Sequence, residues 1–202
     1  MLVIIDYGMG NLRSILNKLQ RLGANARISS NIADLEEADR LILPGVGHFK
    51  AGMDNIRARN LLDPLNKKVL KEGTPILGIC LGMQLFSRHS EEGNATGLGW
   101  LDAETVKFPL GDLKIPHMGW NSLENRSPCV LFSDLPTDAE FYFVHSYHVK
   151  PSPSSNARAS TTTYGISFTS AVCQKNIYGT QFHPEKSHQN GMTILKNFLE
   201  KT

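Results

Sequence analysis

The chain has little cysteine, almost no net charge and no long apolar run, and each shortage narrows what it can be. Cys80, Cys129 and Cys173 are the only cysteines among 202 residues. Three widely spaced thiols suggest neither a disulfide framework nor a zinc site, and they fit a reducing cytosol. The 21 Lys and Arg against 19 Asp and Glu leave a charge of +2, so no basic surface for nucleic acid or an anionic membrane is expected. No apolar run approaches the ~20 residues of a membrane span. The start, Met1-Leu-Val-Ile-Ile-Asp6, is too short and lacks the basic region of a signal peptide. A cytoplasmic chain without metal or cofactor is the expectation. Repeats and low-complexity tracts are also missing, and the length suits one domain with a substantial core.

What is present alternates between strand and helix over the first ~90 residues, the pattern of a parallel sheet covered by helices. Leu2–Ile5 reads as the first strand. Leu12, Ile15, Leu16, Leu19 and Leu22 follow at helical spacing, with Gly23 as the stop. Ala26–Ser29 and Arg40–Leu43 read as further strands, and Asp63-Pro64 as the cap of a helix running to Gly73. After about residue 100, strand-like segments dominate: Glu104–Phe108, Glu140–Val149, Ser160–Tyr164 and Ala171–Cys173. A last helix carries Met192, Leu195, Phe198 and Leu199 on one face. The fold class is therefore α/β: a mostly parallel central sheet flanked by helices, with a smaller antiparallel extension, over 1–202 as one domain.

The most informative segment is Ile76-Leu-Gly-Ile-Cys-Leu-Gly-Met-Gln-Leu-Phe86, where a buried strand should become a helix. Gly78-Ile-Cys80-Leu-Gly82 is a thiol version of the G-x-S-x-G nucleophile elbow, whose small flanking residues permit a tight turn. A helix N-terminus lowers a thiol pKa and offers backbone N–H groups to an anion. An isolated cysteine is more often a buried structural one; the paired glycines reverse that preference here.

A nucleophilic thiol needs a base, and the base an orienting group. Of the histidines at 48, 89, 117, 145, 148, 183 and 188, only His183 sits in a catalytic-looking corner, Gly179-Thr-Gln-Phe-His-Pro-Glu185. Pro184 biases His183 toward extended backbone, which would turn His183 and Glu185 to the same side. By itself, His-Pro-Glu could equally be a surface turn. A tetrahedral intermediate also needs donors. The Leu81 N–H is one, and Val46 and Gly47 in the glycine-rich turn Leu43-Pro-Gly-Val-Gly47 could supply another, although that turn alone could simply end a strand.

Two other motifs fail. Asp6-Tyr-Gly-Met-Gly-Asn11 would need its third dinucleotide-binding glycine where Arg13 stands. His145 and His148 lie on a predicted strand, where such spacing diverges, so no metal is expected there.

With Cys80, His183 and Glu185 assembled, the chain resembles the class I (triad-type) glutamine amidotransferases over essentially its whole length. Within them it is similar to the glutaminase subunits of imidazole glycerol phosphate synthase. The segments that carry this are Asp6-Tyr-Gly-Met-Gly-Asn11, Leu43-Pro-Gly-Val-Gly-His-Phe49, Gly78-Ile-Cys-Leu-Gly-Met-Gln84, Pro116-His-Met-Gly-Trp-Asn121, Phe143-Val-His-Ser-Tyr147 and Gln181-Phe-His-Pro-Glu-Lys-Ser187. Amidotransferase subunits of other pathways more often carry His where Met83 stands, and they lack the Pro116–Asn121 segment.

The resemblance implies that Cys80 attacks the carboxamide of glutamine, forming a glutamyl thioester. His183 would move protons and Glu185 orient His183. It places Gly47, Gln84, His145, Ser146 and Tyr147 around the substrate and assigns the oxyanion loop to Pro44–Gly47. It further implies a separate (β/α)₈ cyclase as heterodimer partner, which takes the ammonia in histidine biosynthesis. Asn11, Met118, Trp120, Tyr142 and Lys186 would face that partner.

Overall fold

The computed structural model describes residues 1–202 apart from Leu110, Asp112 and Leu113. Leu2–Ile5 forms β1, buried along its whole length. Strand side chains alternate, so Val3 and Ile5 enter one apolar cluster while Leu2 and Ile4 enter another on the opposite face. Leu12–Arg21 (α1) covers the second face with Ile15 and Leu19. After Ala26–Ser29 (β2), Ile32–Glu36 (α2) and Arg40–Gly45 (β3), the helix Phe49–Ala58 (α3) covers the first face with Phe49, Met53 and Ile56.

Leu62–Asn66 (α4) then widens into a π-helical turn over Lys67–Lys71. Its N-cap is Leu61, so Asp63 lies inside the first turn and the expected Asp63 cap falls two residues late. Leu61 is fully buried, and packing that side chain sets the helix start ahead of the polar cap. Ile76–Cys80 (β4) runs straight into Leu81–Gln84 (α5), a single turn.

The second half supplies His89–Ser90 (β5), Ala95–Thr96 (β6), Ala103–Lys107 (β7), His117–Ser122 (β8), Glu140–His145 (β9) and Tyr147–Pro151 (β10). Arg158–Tyr164 (β11), Ile166–Gln174 (β12), Ile177–Thr180 (β13) and His188–Lys201 (α6) complete the chain. Among the described residues, ten strands run in the order β2-β1-β3-β4-β13-β12-β10-β7-β5-β6, and β11 joins the same sheet on β12. The β2-β1-β3-β4-β13 half is parallel, whereas β12, β10 and β7 pair antiparallel beyond it. β8 and β9 form a separate antiparallel ribbon. This is the expected α/β architecture, and it puts Cys80 at the C-terminal end of a central strand, where open parallel sheets bind ligands.

Three further expectations change. The strand expected over Glu140–Val149 is two strands broken at Ser146: β9 pairs with β8, and β10 joins the main sheet. The alternation continues through the break, so periodicity could not reveal it. The buried face of α6 is Gly191, Ile194, Leu195, Asn197 and Phe198, with Met192 and Leu199 only partly covered.

Cys129 and Cys173, expected as separate thiols, form a disulfide with Cα atoms 6.1 Å apart. Register decides this. Arg158 on β11 faces Cys173 on β12, and Ser127 Oγ donates to the Ala159 carbonyl, which draws the 127–129 segment alongside. A separation of 44 residues gives no hint of that contact. Among the described residues, no helix is long and apolar enough to cross a membrane.

Candidate active site

The elbow is a backbone device. Cys80 has φ +53° and ψ −110°, a sparsely populated conformation that costs a side-chain-bearing residue on the order of 1–3 kcal/mol. The surrounding chain holds it there. Gly45 of β3 pairs with Cys80, and Gly82 lies so close to β3 that an added Cβ would overlap the Leu43 carbonyl oxygen. The single turn of α5 is too short for a large helix dipole, but the Leu81 N–H belongs to a first turn with no intrahelical acceptor. Cys80 is a free, buried thiol, with its Sγ 3.8 Å from the Val144 carbonyl oxygen.

β13 pairs in parallel with β4, which carries the segment after it to the sulfur. His183 Nδ1 is 2.9 Å from Glu185 Oε1, and both residues are almost fully buried. The means differs from the one expected. His183 is extended, but Pro184–Lys186 is a 3₁₀ turn that curls Glu185 back under the imidazole. The carboxylate accepts from Nδ1–H, so Nε2 is the nitrogen left on the Cys80 side, where it makes no hydrogen bond among the described residues. Burial alone would lower the His183 pKa. Negative charge on the nearby Cys80 sulfur and the Glu185 carboxylate bonded to Nδ1 outweigh burial and raise it to about 10.

The sulfur opens into a cavity of about 300 Å³. Val46, Gly47, Leu81, Gln84, His145, Ser146 and Tyr147 line it together with Cys80. The structure thus gathers the residues expected at the oxyanion and substrate positions, while His183 and Glu185 stand behind the wall. Gly47 has φ +110° and Val46 is exposed, so the turn expected to hold the oxyanion is the open edge of the cavity.

Four of the five residues expected at a partner surface meet elsewhere on the same end of the fold. Trp120 pairs with Tyr142 across β8 and β9, its ring 6.0 Å from the Tyr142 ring, and it stacks on His188 at 4.9 Å. Lys186 Nζ lies 5.6 Å above the Tyr142 ring, and Met118 and Trp120 are exposed. Exposed Asn11 heads α1, which packs against the Pro184–Lys186 turn. A more open hollow of about 540 Å³ lies beside Trp120 and His188, and no triad residue lines it.

The motif-based reading missed three side chains. Tyr7 lies fully buried behind the elbow, where a Cβ on Gly45 would come 2.5 Å from its hydroxyl. Burial and the nearby Cys80 charge raise its pKa, so the phenol keeps its proton. Gln181 is also fully buried, with Nε2 3.6 Å from Cys80 Sγ. A glutamine two residues before the base was a visible signal, since a buried amide needs partners.

The third is His117. It packs against Tyr164 and Phe143 and sits 3.0 Å from His145 Nε2. Burial lowers the His117 pKa to about 4 and that of His145 to about 3. An unfolded histidine titrates near 6.5, so between about pH 6.5 and 4 the unfolded chain binds protons that the native chain refuses. Native stability should therefore fall as pH drops through that window, by up to about 1.4 kcal/mol per pH unit for each such histidine. Urea unfolding at successive pH values should show this loss, with a shallower slope in His117→Phe, which keeps the aromatic packing. No group of His, Cys, Asp or Glu among the described residues could hold a metal ion.

The comparisons agree with this geometry. The family profile described as glutamine amidotransferase class-I matches residues 3–202. The chain is 46% identical to imidazole glycerol phosphate synthase subunit HisH 2 of Pseudomonas aeruginosa, over 99% of each chain. It is 50% identical to the HisH 2 subunit of Methanococcus maripaludis over the full length of both. Among solved structures, a glutamine amidotransferase superposes with a TM-score of 0.76 at 20% identity, covering 98% of this chain and 97% of that one. A second, from Thermotoga maritima, gives 0.67 at 16% identity over 99% and 96%. With a strained cysteine elbow, a buried His–Glu pair and near-complete coverage by these relatives, the chain belongs to the class-I glutamine amidotransferases, among its HisH subunits.

Proposed function

We propose that the chain is the glutaminase subunit of an imidazole glycerol phosphate synthase, acting in histidine biosynthesis as one domain over 1–202. The observation that carries this is Cys80 on a strained elbow, facing the imidazole that Glu185 holds. The Cys80 sulfur attacks the carboxamide carbon of glutamine, and its proton is held at His183 Nε2. The carbonyl oxygen becomes an oxyanion, with the Leu81 N–H and a backbone N–H of Val46 or Gly47 as donors. His183 then protonates the leaving nitrogen, the C–N bond breaks, and ammonia departs from a glutamyl thioester. Water, deprotonated by His183, attacks the thioester and releases glutamate and the thiol. Gln84, His145, Ser146 and Tyr147 shape the pocket that holds the substrate.

Ammonia let into water would mostly protonate and lose its nucleophilicity, so it must pass directly to a second site. The recipient is a (β/α)₈ cyclase subunit in a heterodimer, docked over Asn11, Met118, Trp120, Tyr142 and Lys186. Exposed Trp120 beside Tyr142 has the composition of an interface hot spot. We place the chain in the cytoplasm with the biosynthetic relatives it resembles; three free thiols no longer support that setting, since Cys129 and Cys173 are bonded and Cys80 alone is a free thiol.

Glutamine hydrolysis by the purified subunit, with and without the cyclase and its nucleotide ligand, tests this directly. Slow turnover alone and a large increase in the complex are expected, because the exposed Val46 turn needs the partner to hold its working geometry. Rapid hydrolysis by the lone subunit, unchanged by the cyclase, would sink the partner dependence.

A further inference from the structure

The cavity wall contains a buried amide whose direction can be worked out by elimination. The Tyr147 carbonyl can only accept, so Gln84 must turn Nε2 toward it, at 2.9 Å. The second hydrogen of the same Nε2 then meets Gln181 at 3.0 Å, and the atom it meets must be the acceptor Oε1. Gln181 Nε2 is thereby left on the other side, 3.6 Å from Cys80 Sγ. The Gln181 backbone N–H donates to the Ser170 carbonyl at 2.8 Å, which anchors the residue on β12.

The same carbonyl orders the histidines. His145 Nδ1–H donates to Tyr147 O at 2.8 Å, so Nε2 accepts, and His117 Nδ1–H must be its donor. Every direction from β8 to the sulfur is then set, and Gln181 ends that series as a donor.

We propose that Gln181 is a further catalytic residue, whose amide N–H holds the Cys80 sulfur in its thiolate form. Gln84 serves as the positioning residue that keeps the amide from turning its oxygen toward the sulfur. This rests on the assignment of Cys80 as the nucleophile. A purely structural Gln181 would fill the same space but would leave the reactivity of the thiol unchanged.

Gln181→Met removes the donor without adding charge and nearly conserves the shape; Gln181→Leu is the second variant, in case the first repacks. The readout is the rate of Cys80 alkylation by iodoacetamide in the assembled complex, from about pH 5 to 9. A hydrogen bond to a charged group is strong enough that its loss should raise the half-maximal pH by about one to two units. Glutamine kcat should fall ~10-fold or more, with KM within about threefold, because Gln181 touches the nucleophile and not the substrate.

His183 with Glu185 behind it, Tyr7 and His145 are the other titratable groups around the sulfur, and Glu92 and Tyr147 line the same cavity. They are common to wild type and variants, so their influence cancels in the comparison. An unshifted alkylation profile in either folded, complex-forming variant overturns the proposal. Cys80→Ala, assayed in parallel, separates the two claims. If it still turns over glutamine, the nucleophile assignment falls, while the alkylation profile continues to judge the Gln181–sulfur contact.

Discussion

Replacing Cys80 by Ala should abolish glutamine-dependent synthesis by the complex, at least about 10³-fold, and leave synthesis from ammonium salts intact. The asymmetry follows from the division of the chemistry. In the proposed mechanism the sulfur is the atom that forms the covalent bond, and no other free thiol exists among the described residues to replace it. Added ammonia would bypass the glutaminase and reach the proposed cyclase without it. A second readout lies in His183, whose pKa of about 10 depends on the charge at Cys80. Nuclear magnetic resonance of the imidazole should show His183 losing its proton at a distinctly lower pH in the alanine variant. Persistent glutaminase turnover would remove Cys80 from its role.

Alanine at Gly82 is expected to be far more damaging to the fold than its size suggests. Its Cβ would overlap the Leu43 carbonyl oxygen, and that partner is backbone in a buried central strand, not a movable side-chain end. β3 and β4 would have to separate at the elbow, where Gly45 pairs with Cys80. Overpacking of a rigid core at this position should cost about 3 kcal/mol or more in urea unfolding. Alanine at Gly111, where an added Cβ meets none of the described residues within 4 Å, is the control and should change stability little. Wild-type stability in Gly82→Ala would mean that the elbow does not need its close approach to β3.

The strand-to-helix cysteine was legible because its chemistry demands local features: an apolar run, two small residues and a reactive side chain between them. The His–Glu pair was legible as two residues, but the reason they meet was not. Alternation on an extended chain suggested their contact, whereas a 3₁₀ turn after His183 makes it. The break at Ser146 was hidden because an alternating pattern continues across it. The Cys129–Cys173 bond was hidden because it depends on how β11 registers with β12.

Gln181 shows the limit most clearly. Its segment was prominent in the sequence, yet nothing local says that its amide would face the sulfur. That depends on Gln84 from α5, Tyr147 from β10 and the pairing of β13 with β4, three contacts made across the fold. By itself the sequence determined the proposed nucleophile, its proposed base and the alternation that builds a covered parallel sheet, because these are written in side-chain type and short-range spacing. Only the tertiary structure decided which buried polar groups face the thiol, which cysteines meet and where a strand changes sheets. Those are settled by strand register and by the need of every buried donor to find an acceptor, and neither is a property of neighbouring residues in the chain.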